Sequence, residues 1–177
     1  MKSGKKAHIL TSDRNLTIKK NPMLDRRHTA KGLLFLCTGN YYRSRFAEIL
    51  FNALIAQTSL RWIASSRGIA TERGTHNIGP LSEHARLGLH VRGIELPHPL
   101  PFPQQLKRED LEAADHIVAL KEAEHRPLLD ERFPSCGAEI EFWHIHDLDL
   151  APAQIALSEI EHEVRNLLLR LTIDASS

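Results

Sequence analysis

The sequence predicts a single α/β domain built on a parallel β-sheet with helices on both faces. Short apolar segments typical of buried strands alternate along the chain with segments of helical periodicity, as expected when helices join parallel strands. The first strand, residues 33–36, is an unbroken Leu-Leu-Phe-Leu run, which is typical of a strand buried on both faces. The chain has 177 residues, of which 42% are apolar and 25% charged, and this is the length and balance of one ordinary globular domain.

The apolar pattern places each element in turn. Phe46, Ile49, Leu50 and Leu54 repeat at helical spacing and predict a helix over residues 43–58. Prolines at 97, 99, 101 and 103 exclude regular structure ahead of the third strand. The other predicted elements are a strand at 60–64, a loop at 68–79, a helix from Ser82 to about Val91 that ends before Gly93, a strand at 116–120, a helix at 122–133, a strand at 139–145 and a final amphipathic helix at 154–171.

Cysteine content and hydropathy exclude several classes of protein. Cys37 and Cys136 are too few for a disulfide framework, and nothing points to an oxidising compartment. No apolar run approaches the ~20 residues of a membrane-spanning helix. The N-terminus also lacks the apolar core of a secretory signal. We therefore expect a cytoplasmic protein that does not act at a membrane.

Charge divides the chain into two parts. Residues 1–31 hold nine basic and two acidic residues, a net charge of +7, whereas residues 32–177 hold 14 basic and 20 acidic residues, a net charge of −6. This asymmetry predicts a basic N-terminal arm at 1–31 and a mildly acidic domain at 32–177 that does not bind nucleic acid. The arm is either a solvated tail or an interaction segment for an anionic partner, and the oligomeric state is not predicted.

The segment between the first strand and the first helix carries the chemistry. It reads Cys37-Thr38-Gly39-Asn40-Tyr41-Tyr42-Arg43-Ser44. A tight loop that leads into a helix N-terminus gathers backbone N–H groups that suit a tetrahedral oxyanion, and the same positive field favours the thiolate of Cys37. The Arg43 guanidinium can hold two phosphate oxygens as a fork, Ser44 can donate to the sulfur, and Gly39 and Asn40 tolerate a positive φ. A phosphate site with a nucleophilic cysteine is predicted, against the alternative of a structural cysteine.

Together with its flanks, this segment resembles the low-molecular-weight protein tyrosine phosphatases. Their signature is a Cys-x5-Arg-Ser loop near the N-terminus, followed by a helix with an Ala-Glu pair, here Ala47 and Glu48. Further similarity lies at residues 66–68, 81–94 and 114–120. The resemblance implies a flavodoxin-like three-layer domain with a four-stranded parallel sheet and a phosphocysteine mechanism. The implied substrate is a phosphorylated protein (phosphotyrosine) or a small phosphoester, and no metal or cofactor is implied.

A phosphatase of this kind also needs a proton donor for the leaving oxygen, because the nucleophilic cysteine cannot supply the proton. The family places an Asp in a loop late in the chain, so the resemblance implies Asp147 as the acid, with Asp149 as the alternative. It also implies supporting roles for Ser66 and His98 beside the phosphate loop. The proline and the aromatic pair that accompany the family's acid are absent, and leucines replace the aromatics.

Two loop residues depart from the family pattern. Tyr42 stands where many members carry a second cysteine that traps the oxidised nucleophile, so Cys37 is expected to lack that protection. In the family, threonine at the position of Tyr41 is associated with phosphoarginine specificity. The sequence therefore gives no support to a phosphoarginine substrate. The Tyr41 ring would either stack on an aromatic substrate or narrow the pocket.

Three other functions stay open from the sequence. A thioredoxin-linked arsenate reductase shares the fold and the loop, but Cys136 alone cannot complete its relay of cysteines. A metal hydrolase would draw its ligands from His144, His146, Asp147 and Asp149, whose order differs from the usual ligand pattern. A non-catalytic module of the same fold would bind an anion in the loop without an acid to complete the chemistry.

Overall fold

The computed structural model describes residues 30–134, 136–147 and 152–176 of the chain. Residues 1–29 of the predicted basic arm and Asp149, the alternative acid, lie outside the described residues. Lys31, which the charge pattern assigned to the arm, is the first residue of the first strand. No helix in the described ranges is both long enough and apolar enough to cross a bilayer.

A four-stranded parallel sheet forms the centre of the domain. Its strands are β1 (Lys31–Cys37), β2 (Trp62–Gly68), β3 (His116–Ala119) and β4 (Ile140–Phe142), in the spatial order β2-β1-β3-β4. β1 therefore lies between two neighbours, and its apolar run faces protein on both sides. The predicted flavodoxin-like α/β fold with four parallel strands is confirmed.

Helices cover both faces of the sheet. They are α1 (Arg43–Ile55), α2 (Glu83–His90), α3 (Arg108–Ala113), α4 (Glu122–Arg132) and α5 (Ala153–Ser176). Leu33 and Phe35 of β1 pack into the core shared with α1, α2 and α5, whereas Leu34 and Leu36 pack into the core shared with α3 and α4. Because neighbouring strand residues point to opposite faces, the four-residue run supplies both cores.

The boundaries of β2 and the presence of α3 correct the sequence predictions. β2 was expected at residues 60–64 but runs to Gly68, because it pairs with β1 along its whole length, from Lys31 opposite Trp62 to Cys37 opposite Gly68. Its second half is polar and lacks the apolar alternation that marks a strand. α3 was not predicted, since six residues give too little periodicity; Asp110 caps it by accepting a 2.9 Å hydrogen bond from the Lys107 backbone N–H.

Smaller boundary errors affect other elements. α1 ends at Ile55 instead of residue 58, and β4 has three residues instead of seven. The Trp143 and Ile145 backbones nevertheless continue to bond β3 and its end, through Ala119 and Leu120. The last helix extends beyond the predicted range, from Ala153 to Ser176. These errors lie at element ends, where local sequence patterns define boundaries least sharply.

Glu141 ties the edge strand to its neighbours. Its carboxylate lies 2.9 Å from Nε2 of His116 and accepts hydrogen bonds from the Trp143 indole at 2.8 Å and from Arg170 of α5 at 2.6 and 2.9 Å. The His116 hydrogen bond, followed by those from Trp143 and Arg170, outweighs the effect of burial and lowers the pKa of Glu141 to about 2. The carboxylate therefore contributes to stability in its charged form.

Glu141→Gln is expected to lower the free energy of unfolding at pH 7 by about 1 kcal/mol, a figure reduced for solvent screening at this half-buried position. Because the folded pKa is depressed, the contribution is present above the ordinary glutamate pKa and is lost as pH falls toward 2. Urea unfolding at pH 7, 4 and 2.5 measures the difference from wild type, with the exposed Glu139→Gln as the matched control. A difference that stays constant down to pH 2.5 would contradict the assignment.

Candidate active site

The loop that follows β1 lies at the carboxyl edge of the sheet, where parallel sheets bind their ligands. Cys37 is the last residue of β1 and Arg43 is the first residue of α1, so five residues join strand to helix. Asn40 has a φ of 51°, as the loop prediction allowed, whereas Gly39 does not use a positive φ. Among the described residues, none accepts a hydrogen bond from the backbone N–H groups of residues 38–43. Such a set of unpaired donors is what an oxyanion requires.

A network of side chains holds the loop around the sulfur. The Sγ of Cys37 lies 2.9 Å from the hydroxyl of Ser44. The Asn40 amide donates to the Ser44 hydroxyl at 3.1 Å and to the Ser66 hydroxyl at 2.7 Å, and its oxygen accepts from the Gln104 backbone N–H at 2.8 Å. Asn40 is fully buried, so these bonds fix the loop against both β2 and the proline-rich segment.

Behind the loop lies a buried ion pair. The Ser66 hydroxyl donates to the Glu48 carboxylate, whose other neighbour is Arg45 at 3.4 Å. Arg45 is 3% exposed and also donates to the Pro101 carbonyl at 3.0 Å. Burial raises the pKa of Glu48 against the opposing effects of Ser66 and Arg45. The pair supports the Ser66 position from the side of α1.

Arg43 lies inside the site and binds two carboxylates. Its Nη1 and Nη2 donate to the two carboxylate oxygens of Glu124, each at 2.9 Å, and form a bidentate ion pair. Nη2 also donates to Asp147 at 2.6 Å, and Nη1 donates to the Ile145 carbonyl at 3.3 Å. The Glu124 carboxylate accepts a further hydrogen bond from the Thr38 hydroxyl. Glu124 thus joins the arginine and the phosphate loop.

The charges of this cluster stabilise one another. Burial alone would raise the pKa of the Glu124 carboxyl, but the neighbouring His125 side chain, the Arg43 guanidinium and the Thr38 hydroxyl together hold it well below its usual value. Burial likewise opposes the charge of Arg43, but Glu124, Cys37 and Asp147 keep its pKa above the usual value. The lowered pKa of Glu124 and the raised pKa of Arg43 both favour the charged forms of the pair.

These residues line a pocket of about 450 Å³ that opens to solvent. The pocket wall includes Tyr41, whose hydroxyl donates to the Ile78 carbonyl at 2.7 Å, and Tyr42, whose hydroxyl donates to the Ala153 carbonyl at 3.2 Å. Burial, followed by the charge of Asp147, raises the pKa of Tyr42 to about 12, so this hydroxyl stays a donor. The remaining lining residues are Cys37, Thr38, Gly39, Arg43, Arg73, Gly74, Asn77, Ser82, Glu83, His84, Glu124 and Asp147.

Ser66 and His98 were expected to support the loop. Ser66 contacts it through Asn40, whereas His98 is exposed and forms no hydrogen bond or ion pair with the described part of the chain. From the segment after His98, the Gln104 backbone N–H donates to Asn40 of the loop. Cys136 lies beside the amino end of β3, near His116, at the edge of the sheet opposite the pocket. The transfer of oxidation from Cys37 to Cys136 that an arsenate reductase would need would therefore have to cross the sheet.

The histidines of the suggested metal cluster have other neighbours. His144 lies 3.8 Å from Glu122, and His146 accepts a hydrogen bond from the Lys121 ammonium at 2.9 Å. Within residues 30–134, 136–147 and 152–176, no group of three or more His, Cys, Asp or Glu side chains is arranged to hold a metal ion. The described part of this segment offers Asp147 to the pocket and no metal site.

Glu124 is the site residue that the sequence analysis missed. It lies in the first turn of α4, just after the carboxyl end of β3, and β3 is the neighbour of β1. Because the carboxyl ends of neighbouring parallel strands meet at one edge, a carboxylate at this place in the sequence was a candidate for contact with the loop. Glu124 follows Leu120, the last residue of the predicted strand, by four residues, and this position was the feature of the sequence that could have identified it.

A Cys-x5-Arg loop at the carboxyl edge of a flavodoxin-like sheet is the arrangement found in cysteine-dependent phosphatases. The family model described as low molecular weight phosphotyrosine protein phosphatase matches residues 32–147. The chain therefore belongs to this family, as the resemblance predicted.

Individual relatives agree with this assignment. A protein-arginine-phosphatase of Geobacillus stearothermophilus is 34% identical over 58% of this chain and 62% of its own length. A low molecular weight phosphotyrosine protein phosphatase of Rattus norvegicus is 28% identical over 67% of this chain and 73% of its own. The crystal structure of YfkJ from Bacillus subtilis, 25% identical, superposes with a TM-score of 0.71 over 84% of this chain and 98% of that one. The described fold is thus that of YfkJ over most of the length of both chains.

Proposed function

We propose that the protein hydrolyses phosphomonoesters through a phosphocysteine intermediate on Cys37. The observation that carries this proposal is the loop at residues 38–43, whose backbone N–H groups have no acceptor among the described residues, together with Cys37 and the Arg43 guanidinium at the same pocket. Donors of this kind stabilise the charge on the equatorial oxygens of a transferring phosphoryl group. A buried structural cysteine would need neither feature.

The reaction has two displacement steps. The Cys37 thiolate attacks phosphorus in line, the bond to the leaving oxygen breaks, and Asp147 gives that oxygen its proton. Water then attacks phosphorus, the S–P bond breaks, and the Asp147 carboxylate takes the proton from water. The Ser44 hydroxyl, 2.9 Å from the sulfur, stabilises the thiolate that leaves in the second step.

Asp147→Asn is expected to slow hydrolysis of an alkyl phosphate by about 10³-fold but that of para-nitrophenyl phosphate by only about tenfold. A good leaving group departs without a proton, so the acid matters most for poor ones. Rates are compared over a series of leaving groups, and acid-quenched samples are examined by mass spectrometry for phosphorylated Cys37. An equal loss for all leaving groups would show that Asp147 does not act as the acid.

Aryl phosphates of the phosphotyrosine class are the proposed substrates. Tyr41 lines the same pocket as the Cys37 sulfur and offers it aromatic surface, whereas the Tyr42 ring is buried in the core. The protein-arginine-phosphatase relative makes phosphoarginine the competing substrate, and two carboxylates in the pocket could bind a guanidinium. Glu124 binds Arg43 through both of its oxygens, however, and the resemblance associates phosphoarginine specificity with threonine at the position that Tyr41 occupies. The aromatic wall therefore favours phosphotyrosine.

Two alternatives from the sequence receive less support. Arsenate reduction needs further cysteines close to the first, and Cys136 lies at the opposite edge of the sheet. A module that binds anions without turnover would have lost its acid, whereas Asp147 lines the same pocket as Cys37. The presence of a carboxylate beside the nucleophile favours catalysis over binding alone.

A further inference from the structure

The guanidinium of Arg43 has five N–H groups, and four of them are in use. Both oxygens of Glu124 accept hydrogen bonds from the end of the guanidinium, where Nη1 and Nη2 each present one hydrogen. The second hydrogen of Nη1 goes to the Ile145 carbonyl, and the second hydrogen of Nη2 goes to Asp147. Among the described residues, none accepts a hydrogen bond from Nε–H of Arg43.

A phosphoryl group needs the edge that Asp147 now occupies. With Glu124 on the end of the guanidinium, the fork left for two phosphate oxygens consists of Nε–H and the outer hydrogen of Nη2. Asp147 holds that Nη2 hydrogen at 2.6 Å. A phosphoryl group bound side-on to Arg43 and Asp147 bound to Nη2 therefore exclude each other.

We propose that an arriving phosphoryl group displaces Asp147 from Arg43, while Glu124 remains bound and holds the guanidinium in place. Glu124 is therefore a positioning residue, and the exchange of Asp147 for phosphate couples the proton donor to the presence of substrate. This inference rests on the proposed function, because it concerns the phosphate site and the acid of that reaction.

The contacts explain why Glu124 stays and Asp147 leaves. Glu124 accepts three hydrogen bonds, two from Arg43 and one from the Thr38 hydroxyl, and its position in the first turn of α4 places it in the positive field of a helix N-terminus. Asp147 contacts Arg43 through a single nitrogen, Nη2, its side chain is 41% exposed, and it lies beyond β4, outside any helix or strand. The more exposed ion pair, made through one nitrogen of Arg43, is the one that a dianion replaces.

Displacement also releases Asp147 from the guanidinium. The Asp147 side chain lines the same pocket as the Cys37 sulfur, so its release leaves a carboxyl group available to the leaving oxygen of the bound substrate.

Binding of inorganic phosphate to a Cys37→Ser background tests this inference without turnover. Titration calorimetry at pH 7.5 compares this protein with the same protein carrying Asp147→Asn or Glu124→Gln. Asp147→Asn removes a competing anion and is expected to tighten phosphate binding about tenfold, whereas Glu124→Gln loses the anchor and is expected to weaken it about tenfold. Glu122→Gln, which removes a carboxylate from the same helical turn outside the pocket, should change the affinity less than twofold.

Each outcome has one meaning. Weaker or unchanged phosphate binding in the Asp147→Asn protein overturns the displacement, and tighter binding in the Glu124→Gln protein shows that Glu124 competes with phosphate instead of positioning Arg43. No phosphate binding by Cys37→Ser itself would reject the proposed function. Thermal unfolding of every variant shows that it folds; the Asp147 side chain is partly exposed, so that variant keeps the test decisive if Glu124→Gln does not fold.

Discussion

Cys37→Ser is expected to reduce hydrolysis of para-nitrophenyl phosphate by at least ~10³-fold, down to the assay background. The serine hydroxyl occupies nearly the same place but is far less acidic than a thiol, so the loop no longer holds an anionic nucleophile. The side chain is buried and lies 2.9 Å from the Ser44 hydroxyl, which serine can also bind. The loss is therefore expected in kcat, with the fold retained.

The control for this experiment is Cys136→Ser, which replaces a cysteine at the other edge of the sheet and should leave the rate within twofold of wild type. The assays include a strong chelator, and wild-type activity should persist in its presence. Turnover by the Cys37→Ser protein at more than a few per cent of the wild-type rate would exclude the phosphocysteine mechanism. Loss of wild-type activity on chelation would instead restore a metal-dependent hydrolase as the explanation.

Arg43→Lys is expected to lower kcat/KM for the same substrate by about 10³-fold while the charge is retained. A single ammonium cannot reproduce the two parallel hydrogen bonds to Glu124 and still present a fork to the phosphoryl oxygens. The substitution also leaves the Ile145 carbonyl and Asp147 short of the donors that Arg43 provides. The lysine is therefore expected to lose both the hold of Glu124 on the side chain and the stabilisation of the phosphoryl oxygens in the transition state.

Arg165→Lys is the matched control, because Arg165 forms an exposed i,i+4 pair with Glu161 on α5 and such pairs contribute little. Its rate should be close to wild type. Circular dichroism melting of the Arg43→Lys protein separates a folding defect from a catalytic one. A folded Arg43→Lys protein with more than a tenth of wild-type kcat/KM would show that the fork is not required.

Local sequence was sufficient for the main architecture and for the phosphate loop. The run at residues 33–36 is typical of a strand buried on both faces, and helical spacing after Arg43 indicated where the loop ends. The loop's residues are adjacent in the chain, so their contacts are set by one strand end and one helix start. Short or polar elements such as α3 and the second half of β2 escaped prediction, because their pattern is visible only against their partners.

The tertiary structure alone decided which distant groups meet the loop. Glu124 lies 81 residues from Arg43 along the chain, and the Gln104 backbone N–H lies 64 residues from Asn40. Their encounters depend on β1 lying between β2 and β3, and on the register that brings the three strand ends to one edge. A sequence read locally shows which residues carry charge, but sheet order determines which of those charges share a pocket. For that reason the cysteine and the arginine of the loop could be named from the sequence, and the partner that holds the arginine could not.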